Sequence, residues 1–202
     1  MTLAELMLML AAIETAGVHP GDRIEHCGVA PPDIIAWIAR LGLTVVTQPH
    51  FVAERAAAYR VEVDPVDRPF LYPLRSLKAA GIRVAAGSDA PFGGLDPWAA
   101  MAAAVTRPDG LGPEEAVTPE KALALFTGTA SDPGGAAREV AVGQIADLCL
   151  IDRPWKIARR DLAAVTARAA FVGGAPIYDA MASTSPHSSA VAAGMRRIDS
   201  AI

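Results

Sequence analysis

Apolar residues recur at helical spacing from the third residue onward. Leu3, Leu6, Met7, Leu10 and Ile13 fall three or four apart, the interval at which side chains share one face of a helix. Thr2 and Glu5 stand ahead of them as a T-x-x-E capping box, and Gly17 ends the run. A short strand is predicted at residues 23–27. Pro31 and Pro32 then open a second helix through Ile34, Ile35, Trp37, Ile38 and Leu41, closed by Gly42. Residues 43–47 are apolar and β-branched, the mark of a strand buried on both faces. Residues 51–71 keep no period and read as a long irregular stretch. Residues 72–80 read as a helix with Gly81 as its cap, and residues 82–86 as a third apolar strand. Helices are expected again at about residues 97–105 and from Thr118, where Thr is the N-cap, Pro119 the first helical residue and Glu120 an acid in the first turn.

Strands alternating with helices imply parallel pairing through right-handed crossovers. The pattern changes after Gly143. Residues 145–151 and 165–172 read as short strands with turn residues between them, Gly173-Gly174 follows, and no helical pattern separates them. That part is expected to be antiparallel. Residues 181–202 are rich in Ala and Ser with scattered Gly and Pro, the composition of a disordered tail. The chain therefore divides into an α/β part at 1–140, β-strands at 141–180 and a tail at 181–202.

Composition narrows the partners. Of 202 residues 52% are hydrophobic, enough for a packed core, although much of that share is Ala, which buries little area per residue. The net charge of −4 is spread along the chain and no basic run is present, which argues against a nucleic-acid partner. Cys27 and Cys149 lack the spacing of a zinc knuckle or a redox pair and are expected as reduced thiols. The longest apolar run, residues 3–13, has no basic start, contains Glu5, is followed by Glu14 and is too short to span a bilayer. A cytoplasmic protein without a membrane partner is expected.

Chemistry in parallel α/β folds gathers at the C-terminal ends of the strands. The first predicted strand ends in Glu25-His26, the second in Gln48-Pro49-His50 and the third in Gly87-Ser88-Asp89. Each motif alone is weak. A His at a strand end is more often structural, and an Asp before Ala-Pro also suits an ordinary turn. Glu25 either supports a neighbouring ligand or pairs with Arg23. Three consecutive strands delivering proton- or metal-capable groups at one end is the informative pattern. His19 and His187 fall in a turn and in the tail and read as bland.

In order, Arg23-Ile24-Glu25-His26, Thr47-Gln48-Pro49 and Gly87-Ser88-Asp89-Ala90-Pro91 resemble the run over the sixth, seventh and eighth barrel strands of the amidohydrolase superfamily. The likeness is to its family 3 branch, which includes N-substituted formamide deformylases. Pro119-Glu120-Lys121-Ala122-Leu123 resembles the helix after the barrel. Val142-Gly143-Gln144-Ile145-Ala146-Asp147-Leu148 resembles the return to a small β-sandwich, and Val172-Gly173-Gly174 with Ile177-Tyr178 its last hairpin.

That resemblance implies the last three βα units of a (β/α)8 TIM barrel followed by a short antiparallel segment of a composite β-sandwich. It implies metal-dependent hydrolysis of a non-peptide amide or formamide C–N bond, with a small-molecule amide as substrate. The cofactor it implies is a divalent metal, zinc, as one or two ions. His26 would be a metal ligand, and Asp89 both a metal ligand and the catalytic base and later acid. Gln48, His50 and Ser88 would face the substrate, and Glu25 would support a ligand. The aromatic residues of 51–71 would cover the pocket or run as a surface connection. The family's His-x-His pair is absent from the sequence, so a truncated catalytic domain beginning inside the barrel is expected, inactive alone and with two open sheet edges. A homo-oligomer or a complementing chain would then cover those edges, and a non-catalytic partner subunit is the alternative reading.

Overall fold

The computed structural model describes residues 2–182. Most of the expected tail, from residue 183 on, lies outside the described residues. Residues 2–138 with Arg159–Ala163 form one compact unit, and Glu139–Ala158 with residues from Ala164 onward a second.

The first unit opens with α1 (Leu3–Ala16). Both halves of its capping box are made: the Glu5 amide donates to Thr2 Oγ1 at 3.3 Å, and the Thr2 amide to Glu5 Oε2 at 2.7 Å. α1 buries Leu6 and Leu10. After β1 (Arg23–Glu25) comes α2 (Pro32–Leu41), with Pro at its first turn and Gly42 at φ 67° as its left-handed cap. α2 buries Ile34, Ile35 and Ile38 and packs on α1, where Glu14 accepts hydrogen bonds from Trp37 Nε1 and Arg40 Nη2, both at 3.1 Å.

β2 (Thr44–Thr47) follows. The expected irregular stretch is instead mostly helical: α3 (Phe51–Glu54), α4 (Ala56–Glu62) and a 3-10 turn at Arg68–Phe70 precede α5 (Leu74–Ala79). α3, α4 and α5 lack a side-chain N-cap, so the usual polar start signal is missing from the sequence. β3 (Val84–Ala86), α6 (Pro97–Val105) and α7 (Pro119–Ala124) complete the unit's main elements. As expected, Thr118 caps α7, its side chain accepting from the Lys121 amide.

The three strands form a parallel sheet in the order β1-β2-β3. Ile24, Val45 and Val84 stand opposite one another and are buried. On the alternate face Glu25, Val46 and Ala85 form the neighbouring row. They line a cavity of about 310 Å³ with Arg23, Leu125, Phe126 and part of residues 128–133. Two open edges were expected, and β3 corrects that. The Ala86 amide donates to Leu125 O at 3.0 Å, and Arg83 pairs with Asp132. Gly134, at φ 69°, lies so close to the backbone of Arg83 and Val84 that a Cβ would meet the Val84 nitrogen at 2.6 Å. A returning loop thus covers the β3 edge, while β1 has one strand partner among the described residues.

The second unit is an antiparallel sheet of β4 (Leu148–Ile151), β5 (Ala167–Val172) and β6 (Ala175–Asp179). A helical turn, α8 (Trp155–Ala158), stands between β4 and β5, where no helix was expected. It is four residues long, too short to show a period. No helix among the described residues is long and apolar enough to cross a membrane.

Candidate functional site

Parallel pairing brings the ends of β1, β2 and β3 to one side of the sheet. His26 follows β1 directly and is held by β2 at three atoms. Its amide donates to Val46 O at 2.8 Å, its carbonyl accepts from Thr47 Oγ1 at 2.7 Å, and its Nδ1 lies 3.0 Å from Gln48 Oε1. With the Gln48 carbonyl oxygen as acceptor, Nδ1 carries the proton. In the neutral ring Nε2 then keeps its lone pair, the arrangement in which an outer partner orients a ligating histidine. His26 and Cys27 sit at φ 69° and 51°, a region unfavourable for residues with a Cβ and one that collects at functional sites.

Asp89 closes the third strand end at φ 54°. Its carbonyl accepts from the amides of Phe92 at 2.9 Å and Gly93 at 3.0 Å, and Ser88 Oγ accepts from the Ala90 amide at 3.3 Å. The Asp89 side chain is exposed. Two ladder spacings of about 4.8 Å each separate β1 from β3, which sets their ends about 10 Å apart.

The other expected site residues are placed as follows. Gln48 is 3% exposed and serves His26. His50 is 3% exposed and its Nε2 lies 3.1 Å from the Ser88 carbonyl oxygen. Glu25, read either as support for a ligand or as a partner of Arg23, lies 2.5 Å from Arg23 Nε. Residues two apart on a strand share a face, which brings these two together.

Tyr59 and Tyr72 form a phenol pair with oxygens 3.1 Å apart. Burial pushes both hydroxyls above the ordinary tyrosine range. For Tyr72 the bond to Tyr59 and the nearby Asp89 charge add to the rise, while Arg55 opposes it. Both phenols remain protonated at neutral pH. Phe51, Val52, Leu71 and Tyr72 bury themselves with Val29 and Leu111 in one apolar cluster, so the two ends of the 51–71 region are anchored in the core, while α4 between them buries no residue. Burial also pushes the Cys27 thiol up to about 12, so it stays neutral beside His26.

Two buried charges escaped the sequence reading. Arg107 is 7% exposed and donates to the carbonyl oxygens of Tyr72 at 3.1 Å, Leu71 at 2.6 Å and Leu111 at 2.9 Å. Burial lowers its pKa to about 10, and Glu115 and Glu114 oppose that. Glu115, 8% exposed, accepts from the Ser76 amide at 2.9 Å and Ser76 Oγ at 2.5 Å. Leu111 aside, these partners lie 35 to 39 residues away and leave no trace in local spacing. Arg55 was also missed, its guanidinium lying 3.8 Å from the Phe92 ring centroid and 5.1 Å from that of Phe51.

The donors His26 and Asp89 suit a divalent cation in kind. A catalytic zinc takes three protein ligands, and among the described residues no three His, Cys, Asp or Glu side chains stand together as an ion would require. The described residues therefore do not form a complete metal site.

Comparison with known proteins follows the same lines. An N-substituted formamide deformylase of Arthrobacter pascens is 29% identical over 166 residues, which cover 78% of this chain and 31% of that protein. A solved, uncharacterized metal-dependent hydrolase of Pyrococcus furiosus is 29% identical with a TM-score of 0.54, covering 60% of this chain and 25% of that one. Its counterpart from Pyrococcus horikoshii OT3 is 27% identical with a TM-score of 0.53, covering 60% and 26%. The chain thus spans between a quarter and a third of the length of these relatives. The amidohydrolase family matches residues 2–178, nearly the whole described chain, and the chain belongs to that family.

Proposed function

We propose that this chain carries the His26–Gln48–Asp89 part of the active site of a metal-dependent hydrolase of non-peptide C–N bonds, with a small amide or formamide as substrate. In this reading the first unit is the last three βα units of a (β/α)8 barrel and the second belongs to a composite β-sandwich. The observation that carries it is the triple anchoring of His26 by β2, with Gln48 fixing Nδ1 and leaving Nε2 available, at the same sheet end as Asp89. A divalent ion, zinc in this reading, supplies a water of lowered pKa when bound.

Two tasks fall to residues of the chain. His26 offers a ring nitrogen oriented through its bond to Gln48. The Asp89 carboxylate takes a proton from the attacking water and returns it to the leaving nitrogen, so that the amine departs neutral as the C–N bond breaks. Ser88, next to Asp89 in the chain, faces the substrate in this reading. Since the described residues supply two donors, the site is incomplete in this reading. A non-catalytic subunit that completes a barrel with another chain is the second reading, favoured by β1, which has strand pairing on one side among the described residues.

Calorimetric titration of the purified chain with Zn²⁺ tests the proposal. Weak binding is expected, lowered about tenfold or more in His26→Ala and Asp89→Asn, and by about tenfold in Gln48→Leu, the usual cost of losing an outer partner. Equal affinity in all four proteins would remove the pair from metal chemistry. Formamide hydrolysis by the chain alone is expected to be undetectable, and stoichiometric zinc with turnover would replace the incomplete site by a complete one.

A further inference from the structure

Beyond the Gly87 amide, which donates to Thr47 O at 3.0 Å, the loop that carries Asp89 is held at Ser88 and Phe92 by one short helix and its two flanking residues. His50, just before α3, lies with Nε2 3.1 Å from Ser88 O. A carbonyl only accepts, so Nε2 carries the ring proton. The other nitrogen, Nδ1, is buried and has no hydrogen-bond partner among the described residues, so the ring's polar engagement is the bond to Ser88. The Phe51 ring meets the Phe92 ring edge-on at 5.6 Å. Arg55, just after α3, lays its guanidinium over the same Phe92 ring at 3.8 Å and donates from Nη2 to Phe92 O at 3.2 Å.

The loop's glycines match that template. A Cβ on Gly93 would collide with Ser88 O, His50 Nε2 and Phe51, and one on Gly94 would meet Glu54 Oε1 at 2.6 Å. Side chains of His50 and α3 thus take up space that a larger residue at Gly93 or Gly94 would need. Between these holds sits Asp89 in a left-handed conformation, with its carbonyl gripped by the Phe92 and Gly93 amides. A left-handed non-glycine residue is strained and persists where its surroundings over-determine it.

We infer that α3 with its flanks is a clamp that fixes the Asp89 loop, and that His50 is a positioning residue acting through the Ser88 carbonyl rather than a substrate contact. The part given to Asp89 rests on the hydrolase reading; the clamp itself does not.

Amide hydrogen exchange on the full chain tests it. The Phe92 and Gly93 amides report on the loop and those of β2 on the whole unit. In His50→Leu the Ser88 carbonyl loses its donor, and exchange at Phe92 and Gly93 should quicken about tenfold or more while β2 exchange stays put, as for a local opening. His50→Gln, whose side-chain N–H reaches the same carbonyl, should restore slow exchange. Arg55→Met, a change at a half-exposed position, should quicken the same two amides and serves if His50→Leu does not fold. Wild-type exchange in both His50→Leu and Arg55→Met, or failure of His50→Gln to restore protection in a folded protein, would overturn the clamp. Asp89→Asn should leave these amides slow, because the backbone carbonyl is their acceptor. Loss of zinc affinity without a change in exchange therefore speaks to the hydrolase reading alone.

Discussion

Arg107 shows how a single residue can organise a region that its sequence neighbourhood does not announce. One guanidinium satisfies three carbonyl oxygens, on Leu71, Tyr72 and Leu111, all three residues buried. Tyr72 is thereby held at φ 43°, with its phenol against Tyr59 and in the field of Asp89. Arg107→Met would leave the Leu71 and Leu111 acceptors unpaired at about 1–3 kcal/mol each, while the Tyr72 carbonyl keeps the Leu74 amide at 2.8 Å, so a loss of about 2 kcal/mol or more is expected. Arg107→Lys should recover only part of it, since a compact ammonium cannot match a planar fork. Urea unfolding checks this through a lower midpoint at unchanged slope. A midpoint within experimental error of wild type in Arg107→Met would show that water reaches those carbonyls. Nothing in the local run Thr106-Arg107-Pro108 distinguishes this arginine from a surface one. By contrast His26, Gln48 and Asp89 were legible because each ends an apolar strand, a position set by the polypeptide's own alternation.

At the scale of elements, legibility follows chemistry written in adjacent residues. The capping box of α1, the Pro start and Gly end of α2 and the Thr118 cap of α7 are all local and all formed. α3 and α4 were missed because they meet at Arg55 without a capping side chain, although Ala56-Ala57-Ala58 is a strong helix-former. The β4–β5 connection holds a local device of another kind. Asp152 takes hydrogen bonds from Arg153, at 2.6 Å from Nη2 and 3.0 Å from Nε, and from the Thr166 amide at 3.3 Å. Chiefly through Arg153, its carboxyl is lowered from 3.8 to about 2. The unfolded chain takes up this proton first, so the contribution is complete above pH 3.8 and disappears as pH falls through about 2. Stability of wild type and Asp152→Asn should therefore differ at neutral pH and converge near pH 2. A difference that does not change with pH would assign the effect to something other than the carboxylate.

On the scale of the whole molecule, the second unit exposes more apolar surface than a solitary sheet tolerates. In the β4–β5 register Leu148 and Leu150 stand opposite Phe171 and Ala169 on one face, while Cys149 and Tyr178 flank Ala170 on the other. Leu148, Leu150, Val172, Ile177 and Tyr178 are all exposed. In the first unit β1 adds an edge with strand pairing on one side among the described residues. Contiguous apolar patches and unpaired strand edges recruit partners, whether a second copy or another chain. With one purified component the partner available is a second copy, so the chain should elute from size-exclusion columns at a volume that moves toward larger species as concentration rises. Leu150→Lys and Val172→Lys, each placing a charge on the β4-β5-β6 sheet, should reduce that movement, because a like charge on each copy has to be desolvated as the sheets meet. Arg23→Gln, which breaks the ion pair on β1, should leave it unchanged if the second sheet is the seat of association. Elution as a monomer at every concentration would show that these side chains are tolerated in water, and it would remove the physical ground for expecting a complementing partner.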